Sequence, residues 1–223
     1  MNQTFMKLIQ SGATAEVADA VEADAALAEY RDSQGVSALL WSVYTGQTMV
    51  RDFLFAKLAE RNTELDIFEA AATGDNDRLR LILAADSSTA RAFSGDGWTA
   101  LHLAAAFGTP ASVSALISAG ASVNAVSKNA QHNQPLHAVM ALGRNRETIQ
   151  LLLDHAADTN AVQAGGFTAI FSAAAANRRD LADLLLAHGA NPNHANDQGK
   201  TPAEFARERG HLEMAAWLEA LPA

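Results

Sequence analysis

The sequence contains no cysteine among its 223 residues. Disulfides, thiolate zinc sites and cysteine nucleophiles all require the thiol group, so this chain can form none of them. Its longest apolar stretches are far shorter than the ~20 residues that cross a bilayer, and we expect no membrane partner. Residues 1–10 carry one lysine and lack the apolar run of a secretory signal, which predicts a cytoplasmic protein.

The chain is also poor in basic side chains. Its 16 Lys and Arg stand against 25 Asp and Glu, for a net charge of −9. Residues 1–96 hold 8 basic and 15 acidic side chains and therefore carry −7 of that charge. Such a surface repels a phosphate backbone, so nucleic acid is not an expected partner. With 49% hydrophobic residues, the composition indicates a folded, soluble protein.

One short segment recurs along the chain at a nearly constant spacing. The stretch 97–108 has counterparts around Gln134, Thr168 and Thr201, so the steps from Thr99 onward are 35, 34 and 33 residues. A weaker match at an offset of 62 extends the repeat upstream. Self-similarity with this period predicts a stack of similar units. The predicted units are 2–31, 32–62, 63–93, 94–126, 127–161, 162–195 and 196–223.

Each unit is predicted to contain two short helices. Thr99, Thr168 and Thr201 stand where a hydroxyl would cap the first helix, and Pro135 and Pro202 suit its first position. A single pair of helices cannot bury its apolar face alone. Stacked pairs share a continuous core, and the terminal units are expected to be more polar outside.

Glycines mark the predicted helix ends. Gly74, Gly108 and Gly210 are placed to end first helices in a left-handed conformation, and Gly120 and Gly189 close second helices.

These residues resemble the ankyrin repeats, whose pattern runs Asp-x-x-Gly-x-Thr-Pro-Leu-His-x-Ala-Ala, then a Gly, an apolar second helix and Gly-Ala-Asp-x-Asn-Ala. Segments 99–105 and 134–137 match the first part, and 120–125 and 189–193 match the last. The resemblance covers essentially the whole chain and is to a bacterial-type member. It implies an all-α helical solenoid with short β-hairpin fingers, in a single domain of residues 1–223. It also implies that His102 and His137 hydrogen-bond the N-cap and the adjacent finger.

Two fingers depart from the family pattern. About five residues are missing between the second and third units, where Leu58 replaces the usual glycine and the next helix is expected to start near Thr63. We therefore expect a truncated finger at this point. The finger at 126–134 is about two residues longer than the pattern and has His132 in the place of the turn glycine.

The sequence has no constellation typical of catalysis. Acidic pairs such as Asp75 and Asp77 lie where negative charge favours a helix start, and we find neither a phosphate-binding glycine loop nor a Gly-x-Ser-x-Gly turn. The histidines do not repeat the spacing of metal-binding helices. We expect no enzyme activity, catalytic residue, metal or cofactor. A hidden hydrolase or metal protein stays open as an alternative.

The resemblance implies that the fingers and first helices line a concave, protein-binding face. Large aromatic side chains at exposed positions are typical of binding hot spots, although such rings also pack on one another or on neighbouring units. We predict a monomeric, non-enzymatic scaffold that binds another protein there, with an aromatic centre and a polar to acidic rim. The alternative is an inhibitor or immunity-type subunit that blocks one enzyme through its acidic N-terminal half. The predicted binding residues are Trp41, Tyr44, Asp96, Trp98, Phe107, Leu142 and Phe167.

Overall fold

The computed structural model describes residues 2–143 and 145–221, and within them it confirms an all-α helical solenoid. These residues form fourteen α-helices, which follow one another as seven pairs. The exact bounds of the seven repeat units remain a prediction. No helix among the described residues is both long and apolar enough to cross a membrane. The pairs are α1 (Asn2–Ser11) with α2 (Thr14–Ala23), α3 (Ala38–Tyr44) with α4 (Thr48–Glu60), α5 (Ile67–Thr73) with α6 (Asn76–Ala85), α7 (Ala100–Phe107) with α8 (Pro110–Ser118), α9 (Pro135–Ala138) with α10 (Arg146–Asp154), α11 (Ala169–Ala175) with α12 (Arg179–Ala187), and α13 (Pro202–Glu208) with α14 (Leu212–Glu219).

The helices form two layers. Each first helix contacts the first helix of the next pair, from α1 through α13, and second helices such as α6, α8 and α10 pack beside one another. One apolar core runs through the stack from Phe5 to Leu218. Alanines at the first-helix contacts, among them Ala70, Ala71 and Ala104, are buried and allow the helices to approach closely. Each pair therefore depends on its neighbours for burial.

Two of the three predicted threonine caps are confirmed. The Thr99 hydroxyl accepts a hydrogen bond from the backbone N–H of His102, and the Thr201 hydroxyl accepts one from that of Glu204. In both caps the side chain at the third helical position bonds back to the threonine N–H, which satisfies a second free donor. The prolines Pro135 and Pro202 start α9 and α13 as predicted.

The prediction for Thr168 is wrong. It occupies the N-cap position of α11, but its side chain caps no backbone N–H. The third helical residue is Phe171, which has no polar group to reciprocate, and its N–H bonds the Thr168 carbonyl at 3.2 Å instead. The buried Thr168 hydroxyl has no hydrogen-bond partner among the described residues.

We expect Thr168→Val to leave the free energy of unfolding unchanged or to raise it by about 1 kcal/mol, because valine fills the same volume without an unpaired hydroxyl. Thr99→Val is the matched control and should lower stability by about 1 kcal/mol, since this hydroxyl caps α7. Urea denaturation of both variants measures the difference. Equal losses in the two variants would contradict the prediction.

The glycines end helices in two different ways. Positive φ angles confirm the left-handed prediction for Gly74 (+75°) and Gly210 (+81°). Gly120 (+88°) and Gly189 (+83°), which were predicted only to close second helices, adopt the same conformation. Gly108 was predicted wrongly, because its φ is −84°. The position instead requires glycine for space, since an ideal Cβ would lie 2.3 Å from the carbonyl oxygen of Ala71.

The fingers are minimal hairpins that lie side by side. One isolated β-bridge closes each of three fingers, as between Phe93 and Thr99. In the longer finger, His132 adopts φ +48° and so takes the conformation usual for the turn glycine. Backbone hydrogen bonds join the last four fingers: Lys128 N to Gly97 O at 2.8 Å, Ala164 N to Gln131 O at 2.8 Å, and Asp197 N to Gly165 O at 3.1 Å.

The truncated finger between α4 and α5 is confirmed. Residues 61–66 connect the two helices, and this described segment forms no β-bridge. The helix begins at Ile67 and not near Thr63, because the Asp66 carboxylate caps it at this point. The guanidinium of Arg31, from the preceding finger, lies 3.0 Å from both Asp66 and Glu69.

Candidate functional site

The structure brings six of the seven predicted binding residues to one pocket of about 250 Å³. Its lining comes from three fingers, from α3 and α7, and from the π-helical turn Val139–Gly143 that continues α9; we count α3, α7 and this turn as three first-helix segments. Leu142, at its edge, is 55% exposed, whereas the aromatic side chains are half-buried. We call it the aromatic pocket, and its lining residues are Gln34, Trp41, Tyr44, Asp96, Trp98, Phe107, Gln131 and Leu142.

The truncated finger between α4 and α5 explains how the aromatic pocket forms. Without a full finger there, the second and fourth fingers become neighbours, so close that an ideal Cβ on Gly95 would lie 1.6 Å from the Gln34 carbonyl oxygen. Beneath them α5 presents the small side chain of Ala72, which is buried with Leu40 and Leu103. The larger side chains of α3 and α7 can therefore meet over α5.

The rings of the aromatic pocket contact one another at defined angles. Tyr44 of α3 and Phe107 of α7 have centroids 5.7 Å apart, although 63 residues separate them. Trp41 meets Tyr44 edge-on at 5.9 Å, and its indole N–H donates to Asp32 at 2.8 Å. Such packing leaves part of each ring exposed while holding it in place. Both sequence interpretations, exposure and mutual packing, therefore describe part of the arrangement.

The polar groups of the aromatic pocket are Tyr44, Asp96 and two glutamines. The Tyr44 hydroxyl is buried and has no hydrogen-bond partner in the described part of the chain. Its burial, and then the negative charge of Asp96, raise the pKa of Tyr44 far above the ordinary value of 10, so the hydroxyl stays protonated. Asp96 accepts a hydrogen bond from the Ser94 hydroxyl through one of its oxygens.

Phe167 does not lie in the aromatic pocket. It packs against Phe171 at 5.2 Å and Phe205 at 5.5 Å, beside a second recess of about 280 Å³. Arg209 lies there too, with its guanidinium carbon 5.0 Å from the Phe205 ring. Phe171 and Phe205 were not among the predicted binding residues. The spacing of four between Phe167 and Phe171 was a usable signal, whereas Phe205 comes from the last repeat.

His102 confirms the framework role that the resemblance implied. Its Nδ1 lies 2.7 Å from the Thr99 hydroxyl, and its Nε2 lies 3.0 Å from the carbonyl oxygen of Asn133 in the next finger. Donation from Nε2 to a carbonyl and acceptance at Nδ1 fit a neutral ring. Burial lowers the pKa of His102 to about 4, despite the opposing effect of that carbonyl.

His137 repeats this arrangement one unit later. Its Nδ1 accepts from the Gln134 N–H at 3.1 Å, and its Nε2 lies 2.9 Å from the Ala161 carbonyl oxygen. Burial lowers the pKa of His137 as well. In residues 2–143 and 145–221, no group of three His, Asp or Glu side chains is arranged to hold a metal ion.

Comparison with known proteins gives two kinds of match. The family model described as "Ankyrin repeats (3 copies)" matches residues 67–163 and again 136–220. Among relatives, the B-cell lymphoma 3 protein homolog of Mus musculus is 32% identical over 161 residues, which cover 71% of this chain but 35% of that protein. Putative ankyrin repeat protein YahD of Escherichia coli (strain K12) is 29% identical over 196 residues, covering 71% of this chain and 96% of YahD.

Proposed function

The chain belongs to the ankyrin repeat family, and from this premise we propose that it is a non-enzymatic module that binds a partner protein at the aromatic pocket. The observation that carries the proposal is the convergence of six predicted residues, from one finger and three first-helix segments, on one pocket. Rigid, half-buried aromatic side chains make good anchors because little conformational entropy is lost when they are covered.

The same proposal treats the protein as a cytoplasmic monomer. The chain has no cysteine and so lacks the disulfides that are common in oxidising compartments, which supports the cytoplasmic location. The monomer is proposed because the partner protein, and not a second copy of the chain, is expected to cover the exposed apolar surface. The proposed function also includes no enzyme activity.

Site-specific photocrosslinking tests the proposed face. A benzophenone amino acid in place of Gln131, at the pocket rim, is expected to form a defined adduct with one protein in cell extract, which mass spectrometry identifies. The matched control carries the same group at Leu81, which is 65% exposed on α6 in the second-helix layer. The proposal fails when the adduct forms at Leu81 and not at Gln131.

The inhibitor alternative requires attraction through the acidic N-terminal half. In the structure several of these carboxylates are paired with arginines, such as Glu29 with Arg61 at 2.8 Å and Glu64 with Arg78 at 2.9 Å. Paired charges attract a basic partner less than free ones, which favours the aromatic pocket. Raising the salt from 50 to 500 mM would weaken an acid-driven complex far more than an aromatic one.

A further inference from the structure

The aromatic pocket combines aromatic faces with negative charge and has no positive group in its described lining. Asp96 is its one charged lining residue, and none of the described lining residues is Lys, Arg or His. The faces of Trp and Tyr rings are themselves electron-rich and attract cations. The negative electrostatic potential of the pocket therefore favours a positively charged ligand.

Two acceptors in the pocket are available to such an occupant. The buried Tyr44 oxygen accepts no hydrogen bond within the described residues, while its proton is directed toward Asp96, and the Ser94 hydroxyl engages only one oxygen of Asp96. An apolar ligand would bury both groups without hydrogen-bond partners, and this has a higher free energy than leaving the pocket empty and hydrated. A ligand with several N–H donors satisfies them.

The size of the pocket points to one side chain and not to a small-molecule ligand. Its volume of about 250 Å³ lies below the roughly 300–1,000 Å³ of sites that enclose drug-sized molecules. It opens on the face formed by fingers and first helices, where a polypeptide can lie across it.

We propose that the aromatic pocket takes an arginine side chain of the partner protein, stacked on the rings and hydrogen-bonded to Asp96 and Tyr44. The inference rests on the proposed function and specifies its partner chemistry. Arginine fits better than lysine because its guanidinium is planar, stacks on aromatic rings and offers five donors to acceptors in different directions. Lysine is a strongly hydrated point charge, which loses more on entering a half-buried pocket.

The chain supplies its own reporter for this test. It has three tryptophans, of which Trp41 and Trp98 line the aromatic pocket and Trp217 lies in α14. We would titrate the ¹⁵N-labelled protein with N-acetyl-arginine methylamide and follow the three indole N–H signals. The expected result is a saturable shift of the Trp41 and Trp98 signals with the Trp217 signal unmoved. The lysine analogue should bind several-fold more weakly, and the neutral citrulline analogue should not bind.

Two conservative variants test the acceptors without removing a ring. Asp96→Asn is expected to weaken arginine binding about tenfold, because a charge-assisted hydrogen bond is lost. Tyr44→Phe should weaken it about threefold, because the hydroxyl acceptor is lost. Asp183→Asn removes the same charge from the exposed surface of α12 and should leave binding unchanged.

Three results would overturn the inference: citrulline binding as tightly as arginine, lysine binding more tightly, or unchanged affinity in Asp96→Asn. The outcome is separable from that of the proposed function. A Gln131 adduct without a preference for arginine overturns this inference alone. An arginine response without a Gln131 adduct supports the pocket chemistry and counts against a protein partner.

Discussion

Gly108→Ala is expected to lower the free energy of unfolding by about 3 kcal/mol, the upper end of the range for overpacking a well-packed contact. The new Cβ would lie 2.3 Å from the carbonyl oxygen of Ala71 and 3.0 Å from that of Ala104. Both atoms belong to helix backbones in the middle of the stack, so relief requires α5 and α7 to move apart. Since the pairs depend on contacts with their neighbours, amide hydrogen exchange should become faster on both sides of this interface.

Gly210→Ala is the matched control for this substitution. Gly210 also follows a first helix, but it has φ +81° and nothing within 4 Å of an added Cβ. Its replacement should therefore carry only the cost of the left-handed conformation, about 1 kcal/mol. Urea denaturation compares the two variants directly. A loss in Gly108→Ala no larger than in Gly210→Ala would show that steric contact does not decide the residue at this position.

Acidification is expected to remove about 3 kcal/mol of stability through His102 alone. Its pKa is about 4 in the folded chain, against 6.5 for an unperturbed ring. Above pH 6.5 the ring is neutral in both states and its full contribution is present. As the pH falls, the unfolded chain binds the proton first, so stability declines from about pH 6.5 and the loss is complete near pH 4. His137 shifts in the same direction and adds to the decline.

The pH series is measured by urea denaturation at several values between 7 and 4.5, above the range in which most carboxylates titrate. His102→Gln should be less stable at pH 7, because the hydrogen bonds to Thr99 and Asn133 are disturbed, but its stability should depend less on pH. Equal slopes for the His102 variant and the unchanged protein would refute the assignment.

The repeating parts of the fold could be predicted from the sequence, because one local pattern specifies each of them. The Thr99 cap and the histidine link to the next finger depend on residues within one motif, and both are present as predicted. Thr168 shows the limit of this reasoning. The same threonine fails to cap α11 once the third helical position holds Phe171, so one neighbour decides the outcome. Gly108 was misjudged because its role depends on Ala71 in another repeat.

The candidate site was predictable only in part. The pattern assigns Trp41, Tyr44, Trp98 and Phe107 to the same face, and the missing residues predict a truncated finger. The repeat pattern does not predict that Tyr44 and Phe107 contact each other across α5, since that contact requires both the truncated finger and the small side chain of Ala72. Phe167 lies outside the aromatic pocket because it packs on Phe171 and on Phe205, which comes from a different repeat.

The short connection between α4 and α5 also gives the array a seam. After it, backbone hydrogen bonds link each finger to the next, whereas across it the described fingers share none, and the ion pairs of Arg31 with Asp66 and Glu69 stand in for them. Because the Arg31 side chain is 40% exposed, salt screens this substitute more than it screens a hydrogen bond. The apolar core continues across this seam, but the polar part of the contact between the first two pairs and the rest of the stack is expected to weaken with salt, and the aromatic pocket lies at this contact.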